Sequence, residues 1–149
     1  MKAVIQRVKS AKVIVNEKII GQIDQGLVVL LGVGEGDNEK ETQILAKKIT
    51  NLRIMSDKKG KMNLSVKDVN GEVLVVSQFT LLADTRKGNR PSFVKAAESQ
   101  KAEELYLKFI QELKSMGVKK AASGEFGAMM NIHLINDGPV TIVLDTENM

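Results

Sequence analysis

The sequence predicts an α+β fold in which a mostly antiparallel, curved or β-barrel-like sheet packs against two helices. Three observations support this prediction. Short β-branched segments fill the first third of the chain, helical periodicity occurs in two separate stretches, and the chain returns to strand at its end. The length of 149 residues, 43% of them hydrophobic and 27% charged, fits a single domain covering residues 1–149.

The first third is predicted to form four strands. Residues 3–8 and 12–15 are short, rich in Val and Ile, and flanked by polar residues. Residues 18–23 follow a turn at Asn16 and Glu17. Residues 26–33 are apolar throughout, which predicts a strand buried on both faces.

Two helices are expected. The first begins near Asp37 and Asn38, which can cap a helix, and ends near Arg53. Its predicted buried stripe consists of Ile44, Leu45, Ile49 and Leu52. The second helix shows alternating spacings of three and one between apolar residues, with Gly117 as its stop. Its predicted buried residues are Ala102, Leu105, Tyr106, Phe109, Ile110, Leu113 and Met116.

The remaining segments are read as strands and turns. Asn70 and Gly71 favour a tight hairpin that leads into a buried strand at 71–80. Residues 84–92 form a polar, basic loop. The chain ends with strands at 130–135 and 140–144, joined by a turn at 136–138.

Composition excludes several classes of site. The chain has no cysteine and one histidine, so disulfides, thiolate chemistry and multi-histidine metal sites are excluded, and no cofactor or metal is expected. Five aromatic residues without Trp are too few for a broad base-stacking platform. A net charge of +4 suits a polyanionic partner without requiring one. No apolar run is long enough to span a membrane, so a cytoplasmic protein is expected.

The loop 32–37 follows a strand and precedes a helix, as dinucleotide-binding loops do. Asp37 stands where the third glycine of the G-x-G-x-x-G pattern belongs, and its charge would repel a pyrophosphate. We therefore expect an ordinary connecting loop. The single histidine, His133, lies in an alternating stretch and is expected to be structural, since no triad motif surrounds it.

Two segments suggest a site. Ser77, Gln78 and Thr80 place two hydroxyls and an amide at a strand end, which suits an ester or a sugar, although composition alone favours capping of the strand end. Residues 136–141, Asn-Asp-Gly-Pro-Val-Thr, join two apolar strands. A cis bond before Pro139 would hold two backbone carbonyls rigidly, whereas periodicity alone indicates only a turn.

Taken together, these segments resemble the D-aminoacyl-tRNA deacylase family, also known as the D-tyrosyl-tRNA deacylase family. The motifs Ser-Gln-Phe-Thr at 77–80 and Asn-Asp-Gly-Pro-Val-Thr at 136–141 carry the resemblance. Residues 3–8, 60–64 and 90–93 extend it along nearly the whole chain. The resemblance implies a barrel-like homodimer without a cofactor, with an active site at the subunit interface.

The resemblance also implies a role for each site residue. Gly138 and Pro139, joined by a cis bond, would reach into the pocket of the other subunit, and Arg7 would brace this turn. Phe126 and Met130 would contact the terminal adenosine of the tRNA, and Asn136 is a further substrate-binding candidate. The opposite, catalytic wall would be formed by Ser77, Gln78, Phe79 and Thr80.

The implied reaction is hydrolysis of the ester between a D-amino acid, or glycine, and the tRNA 3′ ribose. A rigid backbone corner would hold the ammonium and block an L side chain without reading its identity. Thr80 could attack as a nucleophile, or the substrate ribose hydroxyl could assist a water while the amides near Phe79 and Thr80 stabilise the oxyanion. We favour the second mechanism because the sequence supplies no adjacent base.

Two other classes of function remain open at this stage. One is a non-catalytic RNA-binding module that shelters the acceptor end, and the other is a small-ligand-binding barrel. In the deacylase reading, lysines and the loop 86–90 would contact tRNA phosphates, although the same loop could be a solvated turn.

Overall fold

A computed structural model describes all residues, 1–149. Its strands, in chain order, are β1 (Lys2–Val15), β2 (Lys18–Ile23), β3 (Gly26–Gly32), β4 (Met55–Ser56), β5 (Met62–Leu64), β6 (Glu72–Ser77), β7 (Lys120–Ser123) and β8 (Asn131–Asp145). The main sheet has six of them in the order β2-β1-β3-β6-β7, with β8 paired to the other side of β1. The β1 pairs are antiparallel, whereas β3 and β7 both run parallel to β6. Strands β4 and β5 form a separate pair.

The sheet curves until its two ends nearly meet. Strands β2 and β7 approach each other at Gly21, where a Cβ atom would lie 2.4 Å from the carbonyl oxygen of Ser123. A glycine is therefore required at this contact, because any side chain would push the two ends apart. The result is the predicted barrel-like shape, built on a mixed sheet.

Both helices form where the sequence predicts them. Helix α1 (Glu39–Asn51) begins with a capping box in which Asn38 and Glu41 exchange hydrogen bonds with backbone N–H groups. Helix α2 (Ser99–Ser115) buries the predicted apolar stripe, apart from the half-buried Met116, and the chain turns away at Gly117, whose φ is +87°. In α1 one expectation is wrong, because Ile44 is exposed and Ala46 takes its place in the core.

The helices and sheet share one large core. Leu45 and Ile49 of α1, and Tyr106 and Phe109 of α2, pack against the face of β3 and β6. Both faces of β3 are buried as predicted, since a second, smaller cluster around Val28 and Leu74 fills the inside of the curved sheet. Neither helix is long and apolar enough to cross a membrane.

Four boundaries differ from the sequence prediction. Strand β1 continues through Lys9 and Ser10, because β8 pairs along its length. Strand β6 ends at Ser77 rather than at 80, and a 3-10 helix (Phe79–Leu82) follows. The expected hairpin at Asn70 is absent, because both edges of β6 are occupied by parallel neighbours. Residues 136–138 do not reverse the chain but interrupt the register of β8 against β1.

Candidate active site

The Ser-Gln-Phe-Thr segment turns sharply at the end of β6. The N–H of Gln78 donates to the carbonyl oxygen of Leu31 at 2.7 Å, which holds the turn against the last residues of β3. Gly32 permits this approach, since a Cβ there would lie 2.6 Å from Leu82 Cδ2. Ser77 and Gln78 are half-buried, while Phe79 and Thr80 are exposed.

This turn forms one wall of a cleft of about 510 Å³. The wall is polar at Ser77 and Gln78, and most of the other lining residues are apolar. None of the lining side chains is ionisable, so the cleft offers neither a general base nor a fixed charge. The lining residues are Val33, Val76, Ser77, Gln78, Phe79, Ala96, Ala97, Ser99, Ala102, Phe126, Gly127, Ala128, Met129, Met130 and Ile132.

Thr80 lies next to this lining and is bonded to it. The Nε2 group of Gln78 donates to Thr80 Oγ1, and no side chain that lines the cleft can take the proton of the Thr80 hydroxyl as a base. The neighbouring N–H groups of Phe79 and Thr80 are the first two of the 3-10 helix, and such groups have no acceptor within their own helix. The segment therefore presents backbone donors beside a hydroxyl without an activating base.

Phe126 and Met130 form the opposite part of the cleft. The ring of Phe126 lies 5.8 Å from that of Tyr106, which is buried beneath it. Met130 packs over Gly124, where a Cβ would come within 2.7 Å of its sulfur. Tyr106 itself donates to the carbonyl oxygen of Val75 at 3.0 Å, and burial raises its pKa to about 12. A rigid layer thus supports the apolar side of the cleft.

Arg7 of β1 binds the Gly-Pro segment of the neighbouring strand β8 through a hydrogen bond from its guanidinium. Its guanidinium is buried and donates from Nε to the carbonyl oxygen of Asp137 at 3.0 Å and from Nη1 to that of Ile54 at 2.7 Å. The bond between Gly138 and Pro139 is cis, and both residues are exposed. Gly138 has a φ of +131°, and a Cβ there would lie 2.9 Å from Val140 N. A glycine is therefore required at this position.

Within one chain the two predicted walls are separate. Ser77 of β6 pairs with Leu31 of β3, which pairs with Ala3 of β1. Gly138 of β8 lies beside Arg7, which is four residues further along β1 than Ala3. The path from Ser77 to Gly138 therefore crosses three strand-to-strand steps and runs four residues along the sheet. This corresponds to a distance on the order of 15–20 Å. Asn136, which pairs with Val8, is exposed on the Gly138 side. The structure thus gathers Ser77, Gln78, Phe79, Phe126 and Met130 in the cleft, and places Arg7, Asn136, Gly138 and Pro139 elsewhere.

Some residues in or beside the cleft were not given a role from the sequence. The ring of Phe93, outside the lining, packs edge-on against that of Phe79 with centroids 5.0 Å apart, and the Arg-Pro-Ser-Phe segment at 90–93 was its sequence signal. Ala96, Ala97 and Ala128 line the cleft with small apolar side chains that carry no reactive group, so nothing in the sequence indicated that they belong to the site. His133 is exposed and pairs with Lys12, outside the cleft.

Comparison with known proteins identifies the family. Residues 4–145 match the profile of a family described as D-Tyr-tRNA(Tyr) deacylase. The chain is 55% identical over 149 residues to a D-aminoacyl-tRNA deacylase of Thermotoga petrophila, covering all of this chain and 99% of the relative. The chain belongs to this family. The family resemblance inferred from the two motifs is thereby confirmed, and with it the expectation of a hydrolase family acting on aminoacyl-tRNA esters.

Further relatives agree with the family assignment. A D-aminoacyl-tRNA deacylase of Dictyoglomus turgidum is 56% identical, over all of this chain and 95% of its own. A solved structure of a c-Myc DNA unwinding element binding protein aligns with a TM-score of 0.93 and 43% identity, covering 98% of this chain and 99% of that one. A probable eukaryotic D-amino acid tRNA deacylase, 14% identical, aligns with a TM-score of 0.83 over 96% and 97% of the two chains and shares the fold.

Proposed function

We propose that this member of the deacylase family hydrolyses the ester between a D-amino acid and the 3′ ribose of tRNA, and that it also cleaves glycyl-tRNA. The supporting observation is the uncharged cleft at Ser77 and Gln78, in a chain about 55% identical over its length to named deacylases. Residues 1–149 would act as one domain, and the proposed tRNA substrate supports a cytoplasmic location for the enzyme.

The proposed chiral filter is the backbone corner at Gly138 and Pro139. Gly138 bears no side chain and none fits there, so its carbonyl stays uncovered for a substrate ammonium. Arg7 fixes the preceding carbonyl of Asp137 through a buried hydrogen bond. A corner held in this way can exclude an L-aminoacyl ester by steric clash with its side chain, whatever the identity of that side chain. A glycyl ester has no side chain that could clash, so it would still be accepted.

The proposed site needs a second copy of the chain. The separation of Ser77 from Gly138 within one chain leaves the cleft without its second wall. Strand β8 is exposed along much of its length and presents Leu134, Ile135 and Val143 to solvent. Burying this apolar strand in a homodimer would protect it and would allow the Gly138 corner of one subunit to enter the other subunit's cleft.

The proposed chemistry uses water rather than a protein nucleophile. The oxygen of a water attacks the ester carbonyl carbon, the bond from that carbon to the 3′ oxygen breaks, and the 3′ oxygen takes a proton. The ribose 2′ hydroxyl orients the water, because no lining side chain can act as base. The N–H groups of Phe79 and Thr80 stabilise the oxyanion. Attack by Thr80 is the competing mechanism, and it is disfavoured because no lining side chain can act as a base to activate the hydroxyl.

An ester-release assay with matched D- and L-aminoacyl-tRNA tests the function. The proposal expects rapid release of the D-amino acid, some release of glycine, and an intact L-ester. Protection of both hands would instead indicate a module that only shelters the acceptor end. Indifference to both would indicate a ligand-binding barrel, and either result would reject the deacylase activity.

A further inference from the structure

The positive charge of this chain is concentrated in one segment. Seven of the 22 Lys and Arg residues, but only one of the 18 acidic residues, lie between positions 47 and 67. The rest of the chain therefore holds 15 basic against 17 acidic residues and carries a slight negative charge. Six exposed cations of this segment make up what we call the lysine-rich surface: Lys47, Lys48, Arg53, Lys58, Lys59 and Lys61.

These cations are free of ion pairs. The six ion pairs of the molecule involve other basic groups, those of Met1, Lys2, Arg7, Arg86, Lys108 and Lys119. In the alternative basic loop at 86–90, Arg86 is bonded to Asp84 and holds the pKa of that carboxyl well below its usual value, which leaves Lys87 and Arg90 as the only unpaired cations of that loop. Free cations suit a phosphate backbone, since their binding releases counterions without breaking an internal pair.

The fold holds the lysine-rich surface in a defined shape. Lys47 and Lys48 project from the last turns of α1, and Arg53 donates to the carbonyl oxygen of Asn63 at 2.8 Å, which ties the helix end to β5. The only acid in the segment, Asp57, accepts from Asn63 Nδ2 and from the N–H groups of Lys61 and Lys59. These bonds lower the pKa of Asp57 and fix the loop that presents the lysines.

A groove runs along this surface. It has a volume of about 870 Å³, and Lys47, Lys48 and Arg53 line it together with the half-buried Leu52. Arg53 is adjacent to Ile54, whose carbonyl accepts from Arg7, the same residue that fixes Asp137. Ile54 therefore lies beside the Gly138 corner, and the lysine-rich surface continues from it through Arg53. In the proposed dimer this end of the surface would border the cleft of the other subunit, where the end of the tRNA would enter.

We propose that the lysine-rich surface is the main contact for the phosphate backbone of the tRNA substrate, in preference to the loop at 86–90. The inference rests on the proposed function for the identity of the RNA. It assigns the tRNA body to the subunit that supplies the Gly138 corner. The resulting binding is electrostatic and independent of sequence, so it accepts many tRNAs.

The test compares two variants that each lose three positive charges. One is Lys47→Gln/Lys58→Gln/Lys59→Gln in the lysine-rich surface. The control is Lys18→Gln/Lys40→Gln/Lys114→Gln, which changes three exposed lysines on β2, α1 and α2 that are not part of this surface. Binding of uncharged tRNA is measured between 50 and 200 mM salt, and kcat and KM are measured with D-aminoacyl-tRNA.

The surface variant is expected to bind tRNA roughly 10-fold or more weakly, and its slope of log K against log salt should fall by about 2–3. KM should rise with kcat nearly unchanged, because the contact is made equally in the ground and transition states. The control should match the wild type. If both variants behave alike, or the 86–90 variant Lys87→Gln/Arg90→Gln shows the larger loss, the assignment is overturned.

The outcomes separate the two proposals. A wild-type protein that binds tRNA through this surface but releases no D-amino acid would refute the enzymatic function and retain the surface. A protein that deacylates normally after loss of the three charges would retain the function and refute the surface. If the triple variant has a lower melting temperature than the wild type, the double variant Lys58→Gln/Lys59→Gln replaces it in the same measurements. Both of these side chains are exposed and make no hydrogen bond or ion pair, so their loss should not affect folding.

Discussion

The buried guanidinium of Arg7 donates to the carbonyl oxygen of Asp137, the residue before the Gly-Pro pair, at 3.0 Å. A second donor of the same side chain reaches Ile54 at 2.7 Å, so one planar group joins β8 to the chain after α1. Lysine cannot reproduce this planar fork, because its three donors all lie on a single nitrogen. The position of the Gly-Pro corner thus depends on one side chain some 130 residues away in the sequence.

Arg7→Lys should weaken both the fold and the discrimination between hands. Leaving a buried carbonyl without a donor costs about 1–3 kcal/mol of unfolding free energy, and a displaced corner should admit L substrates. Denaturant unfolding and the D/L ratio of kcat/KM measure the two effects. Arg53→Lys is the control, since that arginine also bonds a carbonyl but is exposed. Equal stability and an unchanged ratio in both variants would contradict the bracing role.

Gly138→Ala should destabilise the protein by about 1–3 kcal/mol, because the left-handed φ and the contact with Val140 both oppose a methyl group. Activity on D substrates should fall with it. Gly36→Ala is a matched control, since Gly36 has open space around its Cβ position and no positive φ. Thermal melting and deacylation rates compare the two, and an inactive Gly36→Ala would show that the effect is not specific to the corner.

Thr80→Ala should keep turnover within about 10-fold of the wild type if water is the nucleophile. The hydroxyl then only positions neighbouring groups, and Thr80→Ser should be nearly normal. Single-turnover rates with D-aminoacyl-tRNA give the comparison. A loss of about a thousand-fold or more in Thr80→Ala, restored in Thr80→Ser, would establish attack by Thr80 and reject the ribose-assisted mechanism.

Ile135→Glu should give a monomer without activity, because it places a charge on the exposed apolar edge of β8 where the second copy is proposed to dock. Leu107→Glu offers a control of similar exposure, 53% against 58%, on the outer face of α2. Sedimentation and deacylation are measured for both. An active, dimeric Ile135→Glu would place the interface elsewhere.

Tyr106 is the only tyrosine and the chain has no Trp, so ultraviolet absorption reports its ionisation directly. Its pKa should be about 12 in the folded protein and about 10 in denaturant. Because the folded pKa is raised, the stabilisation is complete below pH 10 and is lost as the pH rises from 10 to 12. Tyr106→Phe should lack this alkaline loss of stability, and a titration near pH 10 in the native state would contradict the burial argument.

The sequence predicted best the elements whose signals are local. The spacing of Leu105, Phe109 and Leu113 requires a helix with one buried face, and the capping box at Asn38 sets the start of α1. The Ser-Gln-Phe-Thr motif predicted Ser77 and Gln78 as site residues, and both line the cleft, because they lie where the buried strand β6 ends and the chain leaves the sheet. Motif order along the chain then led to the family.

Features that depend on distant pairing were not predictable. The burial of Ala46 instead of Ile44 depends on how α1 is rotated against α2 and the sheet. The end of β6 at Ser77 is set by the hydrogen bond from Gln78 to Leu31, a residue of another strand. The separation of Ser77 from Gly138 follows from a register across four strands, which no local pattern encodes.

Strand β8 pairs with β1 so that Lys2 faces Asp145. Strand β1 therefore leaves the ribosome well before its neighbour β8 is made. Until β8 has been synthesised, one edge of β1 is unpaired and able to join another nascent chain. The barrel can form only after β8 emerges, and the yield of folded protein in the cell should depend on how well the unpaired edge of β1 is shielded until then.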